Sequence, residues 1–514
     1  MRSRGYGAVL IAVVLALCGA LLAPSAAVAA AGEREVDAYL RQRMAEAKTP
    51  GMAYAIVDRR KIEHIGTMGH DGDGAPVTAR TPFLWGSVAK PVTATAVMTL
   101  VEDGKVDLDR PVRAYLPDFT LKDRATAARI TVRHLLQQTS GLPEVTDATD
   151  RFEHRRDPYR SAVAELADVE PAAEPGEKHI YASANYLLLG AIVEEVTGRP
   201  YATYLRESVL GPLGMKSAIA TPGQAARLPD GHSYAYGQPI SVAPHFDQTG
   251  PSYGYLGGTV EDLARFAMAH LDEGRGARIL KPASVREMHT GTVRIQDTHH
   301  YGLGWRDDKR NADLGARTVW HGGAAPGYQA MVVLLPDKDR AVVLTQNIYG
   351  YFQENEFVSA GLGAARILAG GQPKDQGEDP LYATLLAALT AIAVAVTVAT
   401  GWAAFRTLRP APRPVRRLRT AVATAAWAVL GLGLAYAAWF AVPESLGGSR
   451  RLIRLFTPDL GWLLTGIAIG GLALAATRLG CGLRRLGRAG RPATEPRMDA
   501  MPPGAAAAPA GRRG

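Results

Sequence analysis

The chain has 514 residues, 47% hydrophobic and 21% charged, which excludes a mainly disordered polymer. Its 55 Gly and 33 Pro follow no three-residue repeat, which excludes collagen. The net charge of +9 suggests a nucleic-acid binder until it is divided along the chain. Residues 381–514 hold 17 Arg, no Lys and four acids, a net +13, and Arg2 and Arg4 add +2, so that segment 33–380 is −6. The large middle of the chain has no basic excess with which to hold phosphates, and no nucleic-acid partner is expected.

At the N-terminus a short basic start precedes an apolar run from Ala8 to Leu22 and the small residues Ala27–Ala31. This is the layout of a secretory signal peptide over 1–31, cut near Ala29 or Ala31, with an uncleaved anchor helix as the alternative. An exported domain then occupies 32–371. Val36, Leu40 and Met44 fall at helical spacing over Glu33–Glu46. Met52–Asp58 and Lys61–Met68 read as strands around Asp58-Arg59-Arg60. A helix is expected from Ser87 through Val101, ended by Asp103-Gly104, with further helices at Ile130–Gln138 and Tyr186–Thr197. Residues 216–260 read as surface loops. A late hairpin joins Ala330–Pro336 to Arg340–Asn347, and Ser359–Leu368 forms a closing helix. Strands early, helices in the middle and strands late predict an α/β fold. Its terminal hairpins share one antiparallel sheet flanked by helices, with a mostly helical subdomain beside it.

A linker over 372–380 leads to three apolar stretches within 381–479, at 381–405, 421–442 and 458–477. The first two are long enough to span a bilayer and the third is near the lower limit. Six Arg lie between the first two (406–419) and more follow the third, so the positive-inside rule puts both on the cytoplasmic side and 33–380 outside. Residues 480–514 read as a disordered cytoplasmic tail. Cys18 goes with the signal and Cys481 lies inside, so no disulfide supports the exported domain. The expected location is the cell membrane, multi-pass.

Three short segments can carry chemistry. In Ser87-Val88-Ala89-Lys90, serine and lysine share one helical face, and the amine can draw off the serine proton if burial or another cation lowers its pKa. Tyr181-Ala182-Ser183 precedes an apolar helix, and a phenol near a lysine can relay a proton. In Trp320-His321-Gly322-Gly323-Ala324, glycines permit a close backbone approach and a strand edge able to bind an oxyanion. Each alone has a bland reading: a solvated helix start, a core tyrosine, an ordinary loop. Asp297 with His299-His300 lacks a third metal ligand at suitable spacing and reads as a surface loop.

With these three in order, and with His134-Leu135-Leu136, Thr139-Ser140-Gly141-Leu142-Pro143, Gly257-Gly258-Thr259 and Tyr301-Gly302-Leu303-Gly304-Trp305, the chain resembles the serine β-lactamase and penicillin-binding protein superfamily. The likeness is to its class C β-lactamase-like, D-alanyl-D-alanine carboxypeptidase and esterase branch, over about residues 33–370. It implies a β-lactamase/transpeptidase-like fold and an acyl-enzyme mechanism that uses no cofactor and no metal. Ser87 matches the nucleophile, Lys90 its activating partner and Tyr181 the proton relay. His321 stands where many relatives have lysine. Gly323 belongs to the same substrate-facing strand, and the N–H groups of Ser87 and Ala324 match the oxyanion hole. Ser183 replaces the usual asparagine, and the shorter side chain lacks the amide that orients a substrate amide. That tilts the expectation toward esterase or D-peptidase over efficient β-lactamase, acting on a small-molecule or peptide substrate at the membrane. The competing reading is a sensor whose acylated outer domain signals through the spans.

Overall fold

In a computed structural model the described residues are 32–144, 147–271, 279–374, 380–408, 416–445 and 450–488. Residues 1–31, expected to be a signal peptide, most of the expected 372–380 linker and residues 489–514 of the expected tail lie outside them. The described residues group into two compact units, one within Met1–Ala387 and Pro443–Trp462, the other within Ala388–Val442 and Leu463–Gly514.

The first unit is built on an eight-stranded sheet. The chain's strands are β1 (Gly51–Val57), β2 (Ile62–Gly69), β3 (Phe83–Leu84), β4 (Gly231–Ala235), β5 (Gln238–Val242), β6 (Gly257–Gly258), β7 (Val293–Arg294), β8 (His299–Tyr301), β9 (Arg306–Asp308), β10 (Thr318–Ala325), β11 (Tyr328–Leu335) and β12 (Arg340–Gln346). The large sheet runs β2-β1-β12-β11-β10-β9-β8-β7, with every pairing antiparallel. The early and late hairpins do share it, through β1 on β12.

Side-chain alternation along β1 explains why this strand is central. Met52, Tyr54 and Ile56 face one core with Val36, Leu40, Met331 and Ala364; Ala53, Ala55 and Val57 face the other with Ala330, Val332 and Val343. Helices cover both faces: 32–46 and Glu354–Leu368 on the first, Ala89–Glu102 and Val260–Leu271 on the second. A strand buried on both sides is largely apolar, as β1 is throughout and β11 is from Ala330 to Leu335.

Three expectations need correction. The 216–260 region is not all loop, because Gly231–Ala235 and Gln238–Val242 form a hairpin closed by Tyr236 and Gly237, both at positive φ. His299 and His300 lie in β8, not in a loop, with His299 Nε2 2.8 Å from the buried Asp308 carboxylate. The third apolar helix is not near-minimal: it runs from Pro458 to Arg488, so the helix continues nine residues into the segment read as disordered tail. Backbone hydrogen bonding does not require apolar side chains, and the leucines spaced through this basic stretch are good helix formers.

Among the described residues, three helices are long and apolar enough to cross a membrane, at Leu381–Arg406, Arg417–Ser445 and Pro458–Gly487. A Cβ on Gly431 would lie 2.5 Å from the Gly471 carbonyl oxygen, and one on Gly471 would lie equally near the Gly431 oxygen. Reciprocal glycines let the second and third helices pack backbone to backbone.

Candidate active site

The segment before Ser87 is held at both ends. Phe83–Leu84 pairs with Gly257–Gly258, and the Trp85 N–H donates to the Leu256 carbonyl at 2.8 Å. Gly86 then takes φ +54°, a conformation that disfavours any side chain, and a Cβ there would also collide with the Ala324 backbone nitrogen. Ser87 sits in the following single turn Gly86–Val88, which runs straight into the helix Ala89–Glu102.

One turn on, Lys90 is fully buried. Its Nζ lies 3.0 Å from Ser87 Oγ, 3.4 Å from Ser183 Oγ and 2.8 Å from the Tyr253 carbonyl oxygen. Burial lowers its pKa to about 7; Asp150 opposes that shift and Arg306 adds to it. A neutral amine has two N–H donors and one lone pair. Tyr253 can only accept, Ser183 can accept, and the lone pair is left for the Ser87 hydroxyl.

Tyr181 ends an extended stretch and Ser183 opens the helix Ser183–Thr197. Gln138, buried at φ +60°, fixes this junction: its carbonyl accepts the Ile180 N–H at 2.9 Å, and its Oε1 accepts the Ala182 N–H at 3.0 Å and Asn185 Nδ2 at 2.5 Å. Asn185 Oδ1 accepts the Ser140 hydroxyl at 2.5 Å. The Asn185 amide is thus consumed inside the fold and does not replace the one that Ser183 lacks. The Tyr181 ring lies 4.8 Å from Lys90 Nζ and 5.8 Å from the Arg306 guanidinium. Burial holds its phenol well above the ordinary value, against the opposing pull of a hydrogen bond to Ser87 and of Arg306.

The third segment lies on β10, which pairs with β9 only at Thr318–Trp320 and leaves the edge beyond it free. Antiparallel pairs alternate between hydrogen-bonded and non-bonded. With Ala325 and Tyr328 closing the β10–β11 hairpin, Ala324 and Gln329 form a non-bonded pair, and the Ala324 N–H points to the open edge. A Cβ on Gly323 would stand 2.6 Å from the Ser87 backbone nitrogen, so this edge and the Ser87 turn touch through backbone. The backbone nitrogens of Ser87 and Ala324 therefore lie close to one another. His321 is buried beside them, its ring 6.2 Å from that of Tyr181.

All seven residues singled out in the sequence (Ser87, Lys90, Tyr181, Ser183, His321, Gly323 and Ala324) come together here. Four others were not. Arg306 sits over Tyr181 and, at 5.1 Å, over the Trp320 ring. His179 lies 5.1 Å from the Tyr301 ring, and burial lowers its pKa to about 4. Tyr301 reaches His321 at 3.0 Å. Tyr253 contributes only a carbonyl, which no side-chain pattern announces. The Tyr301–Trp305 segment carried a signal, but of family likeness rather than of role. Chemically, the arrangement offers a hydroxyl beside an amine that can lose its proton near neutral pH, a phenol that keeps its proton, two neighbouring backbone nitrogens and a guanidinium.

Residues 36–359 match the Beta-lactamase family. The chain is 33% identical over 315 residues to Penicillin-binding protein 4 of Amycolatopsis lactamdurans, covering 59% of this chain and 82% of that one. It is 23% identical to Protein flp of Staphylococcus aureus, covering 62% of this chain and 63% of that one. Among solved structures, the octameric penicillin-binding protein homologue from Pyrococcus abyssi aligns with a TM-score of 0.57 at 24% identity, over 66% of this chain and 78% of that one. A D-stereospecific amidohydrolase from Streptomyces sp. aligns with a TM-score of 0.53 at 26% identity, over 63% of this chain and 98% of that one. The match to more than half of the chain, on a sheet and helices of the same arrangement, shows that the chain belongs to the beta-lactamase family.

Proposed function

We propose that the protein is a membrane-anchored serine hydrolase that works through an acyl-enzyme on Ser87. The observation that carries this reading is the buried Lys90 amine, whose pKa of about 7 leaves a lone pair facing Ser87 Oγ at 3.0 Å. Lys90 takes the hydroxyl proton as Ser87 adds to a carbonyl carbon. The N–H groups of Ser87 and Ala324 hold the oxyanion. The proton then passes from Lys90, through the protonated Tyr181 phenol, to the leaving atom as its bond to the acyl carbon breaks. Water repeats the sequence in reverse and frees the acid.

The substrate is an ester, β-lactam or D-amino-acid peptide. Arg306, within cation–π distance of Tyr181, favours one carrying a carboxylate near the scissile bond. Ser183 in place of an amide side chain weighs against efficient β-lactam turnover. The likeness to a D-stereospecific amidohydrolase supports peptides and amides of D-residues.

The orientation proposed is the family domain and the stretch joining the second and third helices outside, with the segment joining the first and second helices and the tail inside. Charge supports it, and so do contacts within the first unit. The Asp459 carboxylate accepts the Tyr236 N–H at 2.9 Å, Arg451 lies over the Phe152 ring at 4.9 Å, and the Phe456 and Tyr349 rings meet at 5.6 Å. A loop packed on the domain shares its side of the membrane.

The test is turnover of p-nitrophenyl esters, nitrocefin and D-Ala-D-Ala peptides by the purified full chain, beside its Ser87→Ala variant. Multiple turnover lost in the variant supports a hydrolase. A stable Ser87 acyl-enzyme without product release would replace hydrolysis by sensing.

A further inference from the structure

His321 is 1% exposed and both of its ring nitrogens are engaged. Nδ1 lies 2.6 Å from the Gly322 carbonyl oxygen, which can only accept, so Nδ1 carries the hydrogen. Nε2 lies 3.0 Å from the hydroxyl of Tyr301, itself fully buried on β8. The groups facing the ring are Tyr301 from β8, Arg306 from β9, His179 and Tyr181 from the segment before the Ser183–Thr197 helix, and Lys90 from the Ser87 helix. None is an acid. A second proton on His321 would stand buried beside the Arg306 guanidinium with no counter-charge, and burial, with Arg306 the largest of the neighbouring charges, lowers its pKa well below the ordinary value. The ring is therefore neutral, Nε2 is an acceptor, and Tyr301 donates to it. Burial pushes the Tyr301 phenol up to about 12, so the donor keeps its hydrogen at neutral pH.

We infer that Tyr301 is a positioning residue for the Ser87 site, its hydroxyl fixing His321 as the neutral Nδ1–H tautomer and tying that ring to the sheet beside Gly323 and Ala324. Two consequences follow. His321 presents no proton on Nε2, so the cation available to a substrate carboxylate is Arg306. The β10 backbone that carries the Ala324 N–H is also held from the β8 side, across a stretch where β9 no longer pairs with it.

The inference rests on the acyl-serine reading, and the experiment separates the two. The acylation rate of Ser87 by fluorescent penicillin or p-nitrophenyl acetate is measured on the full chain in detergent for the parent, Tyr301→Phe, His321→Ala and the double variant. No acylation of the parent by either reagent removes the reading itself. With the parent active, Tyr301→Phe is expected to slow acylation about tenfold with KM within twofold, and to cost less than twofold more once His321 is alanine. Slowing that multiplies in the double variant, or a Tyr301→Phe rate equal to the parent's, overturns the inference. If Tyr301→Phe does not fold, nitrogen-15 histidine spectra of the parent decide: an unprotonated His321 Nε2 upholds the inference and an Nε2–H tautomer overturns it.

Discussion

The hydrogen-bond partners of Lys90 Nζ are hydroxyl and carbonyl oxygens, and full burial disfavours the charged ammonium relative to the neutral amine. Its folded pKa of about 7 lies below the roughly 10.4 of an unfolded lysine. Between those values the unfolded chain binds the extra proton, so this residue's contribution to stability improves as pH rises from about 7 to about 10 and is worst below 7. Two outcomes are expected. kcat/KM climbs with pH through an ionisation near 7. Lys90→Met abolishes acylation yet raises the urea-unfolding free energy at pH 6 by about 2 kcal/mol; a destabilised Lys90→Met protein would show that the amine is well accommodated when charged. Gly323 makes the complementary argument in backbone. A methyl group there would press on the Ser87 nitrogen, so Gly323→Ala is expected to lower kcat/KM about a hundredfold by spoiling the paired N–H donors. A variant with undiminished kcat/KM would remove those donors from the mechanism.

Among elements, the helices Val260–Leu271 and Pro282–His289 meet beneath the site through a histidine pair. His270 Nδ1 and His289 Nε2 are 3.1 Å apart, and His270 Nε2 lies 3.0 Å from the Thr95 hydroxyl on the Ser87 helix. Burial lowers the pKa of His270 to about 3 and that of His289 well below the ordinary value. Unfolded histidines protonate near 6.5, so the unfolded state takes up more protons between about 6.5 and 3 and stability falls as pH drops through that window. The urea midpoint is expected to decline between pH 6.5 and 4, and the decline is expected to flatten in His270→Gln. An equal slope in parent and variant would assign acid sensitivity to other groups.

The same scale shows what could be read from the chain beforehand. β1 and the Ala330–Leu335 part of β11 are legible because strand stretches buried on both faces are apolar, and Ser87–Lys90 is legible because one helical turn fixes its geometry. β7, β8 and β9 are not: Val293–Arg294, His299–Tyr301 and Arg306–Asp308 are two or three residues long and owe their strand form to successive pairing outward from β10, β9 on β10, β8 on β9 and β7 on β8. Arg306 carries no signal in the sequence, and Tyr301 carries one of family likeness but not of role, since their reach to Tyr181 and His321 exists only once that edge is assembled. Asn185 was within two residues of the motif, but only the fold shows its amide spent on Gln138 and Ser140.

For the whole molecule, charge is an address. The net +9 combines an acidic portion holding the family domain with a basic C-terminal region of apolar helices, and the proposed orientation can be tested directly. In a Cys481→Ser background, Glu444→Cys is expected to react with a membrane-impermeant maleimide in intact cells, and Arg416→Cys only after permeabilisation. The reverse pattern would invert the proposed orientation. The central claim is narrower: one serine, Ser87, forms the covalent intermediate. Its most direct measurement is intact-mass and peptide-level mass spectrometry of the purified full chain after reaction with fluorescent penicillin or a fluorophosphonate. The expected result is a single adduct on the peptide containing Ser87, absent from Ser87→Ala. An adduct on another residue, or one that persists in Ser87→Ala, would contradict the account.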